Sequence, residues 1–479
     1  MSHGSKYAIL GPMQPSEYAL NDPIAAIATA LVPSALGIVR TSGKGSIELL
    51  AALFSRPHDL LKTGGNTLLH GWLVNPGDDK KIDEVMLAVY RAPKSFTGED
   101  SVEIIGHGGP AAVLAVYRLC VASGFRAAEK GEFTFRSFAN GKTDLTRSEA
   151  IREIIDARTD TARSRAADRL SGSLSDEIKR IKDLVMNALA SIEVQIEYPE
   201  DEETTKGVFD PRLVKEACAQ LEILESSWAA EKLFQGGARV VLAGRTNAGK
   251  SSLFNILLKE ERAIVSETHG TTRDWLESWV DFAGIPVRLF DTAGLRATDD
   301  VIEAEGVERS KSLASDADLI LYLVDGKDGL DESDLAFLSA SAKQKRDAPS
   351  QPVILVWNKA DKDGALAAPA ADRTKGIASV CPVSAKNGKG IPELVKMTRG
   401  LLLGNEKRET GIGTERQKNA VRTTLAFLRH AITAAEEGFP MDAVAQDLED
   451  ALGCLGEITG EITSSDILNT VFSGFCVGK

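Results

Sequence analysis

The chain has 479 residues, 43% of them hydrophobic and 26% charged, with a formal net charge of -13. This length exceeds one ordinary core and suggests roughly three domains, and with no apolar run of about 18 residues the sequence argues against a membrane span. The negative balance argues against a broad basic surface that wraps nucleic acid, while five scattered cysteines without a CxxC pair disfavour a disulfide framework or zinc site and point to the cytoplasm.

Residues 1–21 mix polar residues with Pro and Gly and lack a basic region followed by an apolar core, so they read as a flexible leader rather than a secretory signal. Residues 22–142 read as a compact mixed domain. Its expected strands are Ile24 to Thr29, Leu36 to Thr41, Glu84 to Tyr90 and Val102 to Ile105, with a helix at Ala111 to Ala122. Thr146 and Glu149 have the spacing of a capping box, which predicts that a helical region, 143–235, opens there. Leu174, Ile178, Ile181, Val185, Ala188 and Ile192 then recur at steps of three and four, giving an apolar stripe that other helices must cover. The run Glu200 to Glu203 reads as a solvated linker. Helical periodicity continues at Leu213 to Leu233 and returns after residue 405, at Ala420 to Ala435 and Leu448 to Ile458. The expectation is therefore a helical domain made of 143–235 and 403–479, interrupted by a unit, 236–402, that folds on its own.

That inserted unit carries the chemistry. An apolar run, Arg239 to Ala243, leads into GRTNAGKS at 244–251 and then a helical pattern, Ser252 to Leu258. Strand, glycine-rich loop and helix in this order cradle phosphates: the backbone N–H groups of Asn247, Ala248, Gly249, Lys250, Ser251 and Ser252 face the anion. Lys250 reaches the terminal phosphates, the Ser251 hydroxyl can ligate Mg2+, and the helix N-terminus adds positive potential. After the strand-like Val287 to Phe290 come Asp291, Thr292, Ala293 and Gly294, with a carboxylate for the magnesium shell and an N–H for the terminal phosphate. Strand-like Val353 to Trp357 leads into Asn358, Lys359, Ala360 and Asp361. Guanine offers two N–H donors on one edge and Asp361 can accept both, whereas adenine would leave the carboxylate facing an acceptor. Ser384, Ala385 and Lys386 follow another apolar run and are placed to support the guanine carbonyl. The order and spacing of these motifs resemble the translation-factor-related GTPases, and imply a Ras-like α/β P-loop fold for the insert.

Between the first two motifs, residues 266–274 form a polar loop whose expected anchor is nucleotide and metal, with Thr272 on Mg2+; His269 within it reads as a solvated histidine. Leu295 stands where a water-positioning glutamine would be expected, so hydrolysis needs another group. Glu303 is one candidate for orienting water, and Asn247 offers an oxygen for a monovalent cation beside the phosphates.

Beyond these motifs the chain carries PIAAIAT at 23–29, GIVR at 37–40, SFTGED at 95–100, HGG at 107–109, GEFT at 131–134, GEITG at 456–460 and FCVGK at 475–479. On these, from about Asp22 to the last residue, it resembles the MnmE (TrmE) family of tRNA-modification GTPases. The resemblance implies an α+β N-terminal domain that binds a tetrahydrofolate derivative (5,10-methylene- or 5-formyl-tetrahydrofolate) and forms a homodimer. It also implies a helical domain assembled from both sides of the GTPase insertion, and potassium-stimulated hydrolysis of GTP to GDP when two GTPase domains meet. An FAD-dependent partner of the MnmG (GidA) type, in a heterotetramer or larger complex, is implied for adding a carboxymethylaminomethyl or aminomethyl group to C5 of the wobble uridine of certain tRNAs. By position, Asn247, Ser266, Thr268 and Thr271 match its K+ site and Ser251 and Thr272 its Mg2+ site. Glu303 matches its water-orienting glutamate, and Arg40, Glu103, Lys142 and Lys479 its folate contacts. A folate's glutamate tail suits Arg or Lys, and its pterin N–H donors suit a carboxylate. The chain departs from the family at 30–35, where a Gly-rich turn is replaced, and at Glu267 and His269 in the potassium loop. Cys476 reads as an idle thiol, since no His or basic cluster adjoins it.

Two other readings compete. A ribosome-assembly or RNA-chaperone GTPase shares the phosphate loop but predicts an attached basic RNA-binding domain. A stand-alone folate enzyme with a regulatory GTPase would need a catalytic constellation before residue 142, and none is evident.

Overall fold

The computed structural model describes residues 22–197, 209, 211–260, 277–291, 317–342, 351–370, 377–404 and 411–479. They form two compact units, one of the residues up to Arg152 together with Glu449–Lys479, the other of Glu153–Leu448. The leader 1–21 and the acidic run 200–203 lie outside the described residues.

The first unit is built on β1 (Ile24–Ile27), β2 (Leu36–Ser42), β3 (Thr67–Asn75), β4 (Lys80–Tyr90), β5 (Ser101–His107) and β6 (Arg126–Ala127), in the order β3-β4-β5-β2-β1-β6. All neighbours are antiparallel except β1 and β6. Alternating residues Val85, Leu87 and Val89 of β4 and Val102 and Ile104 of β5 point into one core. The helix Pro110–Ala122 adds Val113, Val116 and Leu119 to it. β3 has no clear signature in the sequence: as an edge strand it leaves Leu68 60% exposed, and a register shift at Leu73/Val74 breaks its alternation. The predicted capping box at Thr146 is not made. The helix starts at Leu145, and Asp144 caps it by accepting from the Arg147 N–H (2.8 Å) and the Thr146 hydroxyl (2.6 Å). A carboxylate two residues earlier is the stronger acceptor and captures the Thr146 hydroxyl itself.

Between β6 and that helix, Glu132–Ala139 buries both Glu132 and Arg136 completely. Arg136 donates to Glu132 (2.8 Å) and to Glu99 (3.2 Å), and Arg126 also reaches Glu132, so each buried charge is paired. The helix Ser465–Ser473 sets Phe472 edge-on against Phe135, at 5.4 Å between ring centroids. This docks the C-terminal residues beside β1, with Val477 bridging to Lys130.

In the second unit the stripe Leu174 to Ile192 of the helix Ser173–Glu197 is fully buried. Its cover is the helix Pro211–Gly236, which packs against both Ser173–Glu197 and the much later Glu415–Glu436. Lys215–Glu436 (3.1 Å) and Arg429–Glu222 (2.7 Å) tie the two sides together at the rim, so the helical segments on either side of the insert do meet. Deeper in, Arg169, 1% exposed, donates to Glu153 (2.7 Å) and to Glu231 (3.0 Å), while Arg165 closes on Glu231 from the other side. Arg169→Met should therefore lower unfolding free energy by about 3–5 kcal/mol in urea titration, because the largely buried Glu153 side chain loses the guanidinium and Glu231 keeps only Arg165. A loss below about 1 kcal/mol would show that the cluster is not structural.

The insert is a second six-stranded sheet: β7 (Ala238–Gly244), β8 (Glu277–Phe282), β9 (Ile285–Asp291), β10 (Leu319–Asp325), β11 (Val353–Asn358) and β12 (Ser379–Pro382). The order is β12-β11-β10-β7-β9-β8, parallel except for the β8–β9 hairpin. Every residue of β10 and β11 is buried, as expected of parallel strands covered on both faces. The hairpin is fastened to the helix Asp160–Ser171, whose cap Thr159 donates to the Gly284 carbonyl (2.8 Å), and Arg158 lies 4.1 Å over the Trp279 ring. The fold is thus multidomain, a P-loop α/β sheet set among helices and accompanied by an α+β unit. No helix among the described residues is long and apolar enough to cross a membrane.

Candidate functional site

The phosphate loop starts where β7 ends. Gly244 has φ 132, and a Cβ there would collide with the Leu323 carbonyl oxygen; Gly249 has φ 99, and a Cβ would collide with Asn358 Nδ2. Only glycine satisfies both the backbone conformation and the space. Asn247 between them is also left-handed, with φ 65, a region asparagine tolerates better than most residues. The helix Lys250–Glu260 follows at once, anchored by the buried Leu253, Phe254 and Leu257.

Lys250 is largely buried and its ammonium donates to the carbonyls of Gly244 (2.8 Å) and Arg245 (2.9 Å), which hold it over the loop. The Ser251 hydroxyl donates to Asp291 Oδ2 at 3.1 Å, so the hydroxyl and carboxylate proposed for magnesium converge at the ends of β7 and β9. Hard oxygen donors of this kind suit that cation.

The loops at 358–361 and 384–386 join the phosphate loop through one side chain. Buried Asn358 donates from Nδ2 to the Ala248 carbonyl (2.8 Å) and accepts at Oδ1 from the Ala385 N–H (3.0 Å). Lys359 donates to the Asn247 carbonyl (3.0 Å) and pairs with Asp325. Burial raises the Asp325 carboxyl, but Lys359, the Lys327 N–H and Lys362 together offset this and hold it below the ordinary range. The exposed Asp361 is also held low, first by the nearby Ser384 hydroxyl, then, against burial as the second-largest effect, by its own backbone N–H, Lys386 and Lys362. The Ser384 hydroxyl itself, fully buried, is out of hydrogen-bond geometry with any described residue.

A cavity of about 180 Å³ in the first unit is lined by Arg40, Tyr90, Phe96, Thr97, Ser101, Glu103 and Phe133. Arg40 donates twice to Glu103 Oε1 (2.9 and 2.6 Å) and once to the Gly478 carbonyl (3.2 Å). Burial, and then the nearby Arg40, keep the Lys479 ammonium below its usual range. Lys142 donates to the Pro93 carbonyl at 3.0 Å, on the loop that carries Phe96 and Thr97.

The chain matches the model of the MnmE helical domain over residues 145–476, and that of the GTP-binding protein TrmE N-terminus over 23–142. It is 53% identical to the tRNA modification GTPase MnmE of Treponema denticola, over 98% of this chain and all of the relative. The chain belongs to the MnmE family of tRNA modification GTPases. MnmE of Treponema pallidum (strain Nichols) is 46% identical, again over 98% of this chain and all of the relative. A solved structure of Aquifex aeolicus Era bound to GDP.AlF4- is 26% identical over 40% of this chain and 66% of that one, with a TM-score of 0.27, a likeness too weak to bear on fold or function.

In this MnmE-family chain the structure gathers Asn247, Ala248, Gly249, Lys250, Ser251, Asp291, Asn358, Lys359, Asp361, Ser384, Ala385 and Lys386 around the C-terminal ends of β7, β9, β11 and β12. Ser252 sits exposed in the first turn of the helix. Ser266, Thr268, Thr271, Thr272, Thr292, Ala293, Gly294 and Glu303 lie outside the described residues, as does His269. Arg40 and Glu103 line the first-unit cavity, and Lys479 lies close enough to feel both charges without lining it. Asp325 and Arg245 were missed by motif reading. Asp325 ends an apolar run, Leu319 to Val324, just as Asp291 and Asn358 end theirs, and that shared position was the available signal.

Proposed function

We propose that this GTPase uses the site at 244–251, 291, 358–361 and 384–386 to hydrolyse GTP to GDP in a potassium-stimulated reaction. Its hydrolysis drives modification of tRNA at C5 of the wobble uridine, with an FAD-dependent partner that supplies the rest of the carboxymethylaminomethyl or aminomethyl chemistry. The observation that carries this reading is Asn358, whose one buried carboxamide locks the phosphate loop to the base-reading loop.

Lys250 binds the terminal phosphates and Asp361 accepts from the guanine edge. Mg2+, when bound, would neutralise developing charge on the phosphate oxygens; Ser251 and Thr272 would hold it, with Asp291 orienting its shell. Exposed Asn247, with Ser266, Thr268 and Thr271, would hold K+, and Glu303 would orient the attacking water. Segments 143–235 and 403–479 act as the helical domain around a GTPase domain, 236–402, and 22–142 as the folate and homodimer domain. The cavity beside Arg40 suits one flat polar ring: Phe96, Tyr90 and Phe133 supply aromatic faces, and the Glu103 carboxylate an acceptor. Arg40, Lys142 and Lys479 offer cations for a folate's carboxylates.

GTP turnover measured in potassium and in sodium, for the parent and for Asn247→Ala, tests the cation step. The expected outcome is a parent faster in potassium by at least about tenfold and a variant slow in both, an effect of the size of one lost electrostatic stabiliser. Equal rates in all four conditions would remove the cation from the mechanism.

A further inference from the structure

The fully buried strand β10 carries none of the nucleotide motifs, yet the turn that follows it grips the phosphate loop at two points. At its start Asp325 holds Lys359, whose ammonium reaches the Asn247 carbonyl at 3.0 Å. At its end Arg245, at a position the phosphate-loop pattern leaves free, is held by three groups. Its guanidinium donates to Asp331 Oδ2 (2.8 Å) and the Gly329 carbonyl (2.8 Å), and its Nε lies 3.2 Å from Asp334 Oδ2.

Asp334 is the fixed part of this clamp. It is fully buried at the start of the helix Glu332–Ala342 and accepts from the Tyr322 phenol (2.8 Å) and the Asp331 N–H (3.0 Å). The Tyr322 ring is in turn stacked on Phe337, 4.7 Å between centroids. A planar guanidinium held at several points has little freedom left. What it fixes matters, because the Arg245 carbonyl is one of the two oxygens that hold the Lys250 ammonium, at 2.9 Å, and it also accepts from the Ala248 N–H at 3.3 Å.

We propose that Arg245 and Asp334 are positioning residues for GTP hydrolysis: the clamp between the phosphate loop and the turn 325–334 holds the Arg245 carbonyl where it aims Lys250. This rests on the reading of the site as the hydrolytic one. The Arg245–Asp331 arm of the clamp, with side chains 33% and 44% exposed, stabilises the fold little, whereas Asp334 is buried, so stability is measured beside kcat.

The test uses the full chain with Arg245→Lys, which keeps the charge but loses the fork, and Asp334→Asn, which keeps shape and the bond from Tyr322. Asp328→Asn, an exposed carboxylate of the same turn outside the contacts to Arg245, serves as the control. For the first two, kcat should fall roughly ten- to a hundredfold, the loss expected when a reacting group is misplaced by about 1 Å. KM for GTP should stay within about threefold; the urea unfolding midpoint of Arg245→Lys should match the parent, and that of the buried Asp334→Asn should fall while leaving the variant folded in the assay. The double variant should be no worse than the poorer single, because both act through one contact. Asp328→Asn should stay close to the parent. A kcat within about twofold of the parent in both variants, or a loss that only tracks the unfolded fraction, overturns the proposal. A parent that fails to turn over GTP at all would instead remove the hydrolytic reading beneath it.

Discussion

Lys250→Ala is expected to lower GTP turnover by roughly 10²- to 10³-fold, the cost of deleting one donor aimed at charge that develops in the transition state. The side chain sits at the first turn of Lys250–Glu260, with its ammonium between two carbonyls at 2.8 and 2.9 Å. Removing it deletes a positive charge from a nearly enclosed place, where charge acts more strongly than at the surface. The helix should survive, because Leu253, Phe254 and Leu257, all buried, hold it to the sheet. Circular dichroism should therefore match the parent while phosphate release is lost. Lys250→Arg should not rescue, since a guanidinium is too large for the space between those carbonyls. Turnover in Lys250→Ala within about tenfold of the parent would show that the terminal phosphates are gripped elsewhere.

Asp361→Asn should weaken GTP by roughly 10⁴-fold while giving xanthosine triphosphate a comparable advantage, in line with the discrimination of sites built on paired hydrogen bonds. The carboxylate accepts two N–H donors from guanine, whereas the carboxamide of the variant brings a donor of its own and faces the guanine amino group with it. Xanthine carries a carbonyl where guanine has that amino group, and so complements the introduced carboxamide as guanine complements the native carboxylate. Competition of the two nucleotides for parent and variant measures the exchange; a variant that still prefers GTP would sink the assignment. The same carboxylate predicts the pH response. Its folded pKa is depressed, by Ser384 first and then Lys386 and Lys362. Guanine binding should thus hold as pH falls to the ordinary aspartate range of about 4 and be lost only below it.

The two sheets were unequally legible. In the inserted unit the expected strands at Val287 to Phe290 and Val353 to Trp357 fall inside β9 and β11; β11, buried on both faces, reads as a continuous apolar run, while β9 alternates around the half-buried Arg288 and Phe290. In the first unit β3 escaped, because an edge strand with an exposed Leu68 and a register shift has no clean alternation. The apolar stripe from Leu174 to Ile192 announced a helix that had to be covered, but not by what. Its cover, Pro211–Gly236, is near in sequence, while that helix's own second neighbour, Glu415–Glu436, begins nearly two hundred residues later.

What the residues alone set out is the expected chemistry of the nucleotide pocket: the roles proposed for the glycines at 244 and 249, Lys250, Ser251, Asp291, Asn358 and Asp361 follow from local backbone geometry and functional groups, which a linear pattern preserves. What tertiary structure decided is everything that depends on distant residues becoming neighbours. Arg245 could not be told from any loop arginine until β10 brought Gly329, Asp331 and Asp334 to it. Arg40 was one more charge until β5 and the C-terminal residues closed on it. Long-range pairing of polar groups depends on packing that no local period encodes.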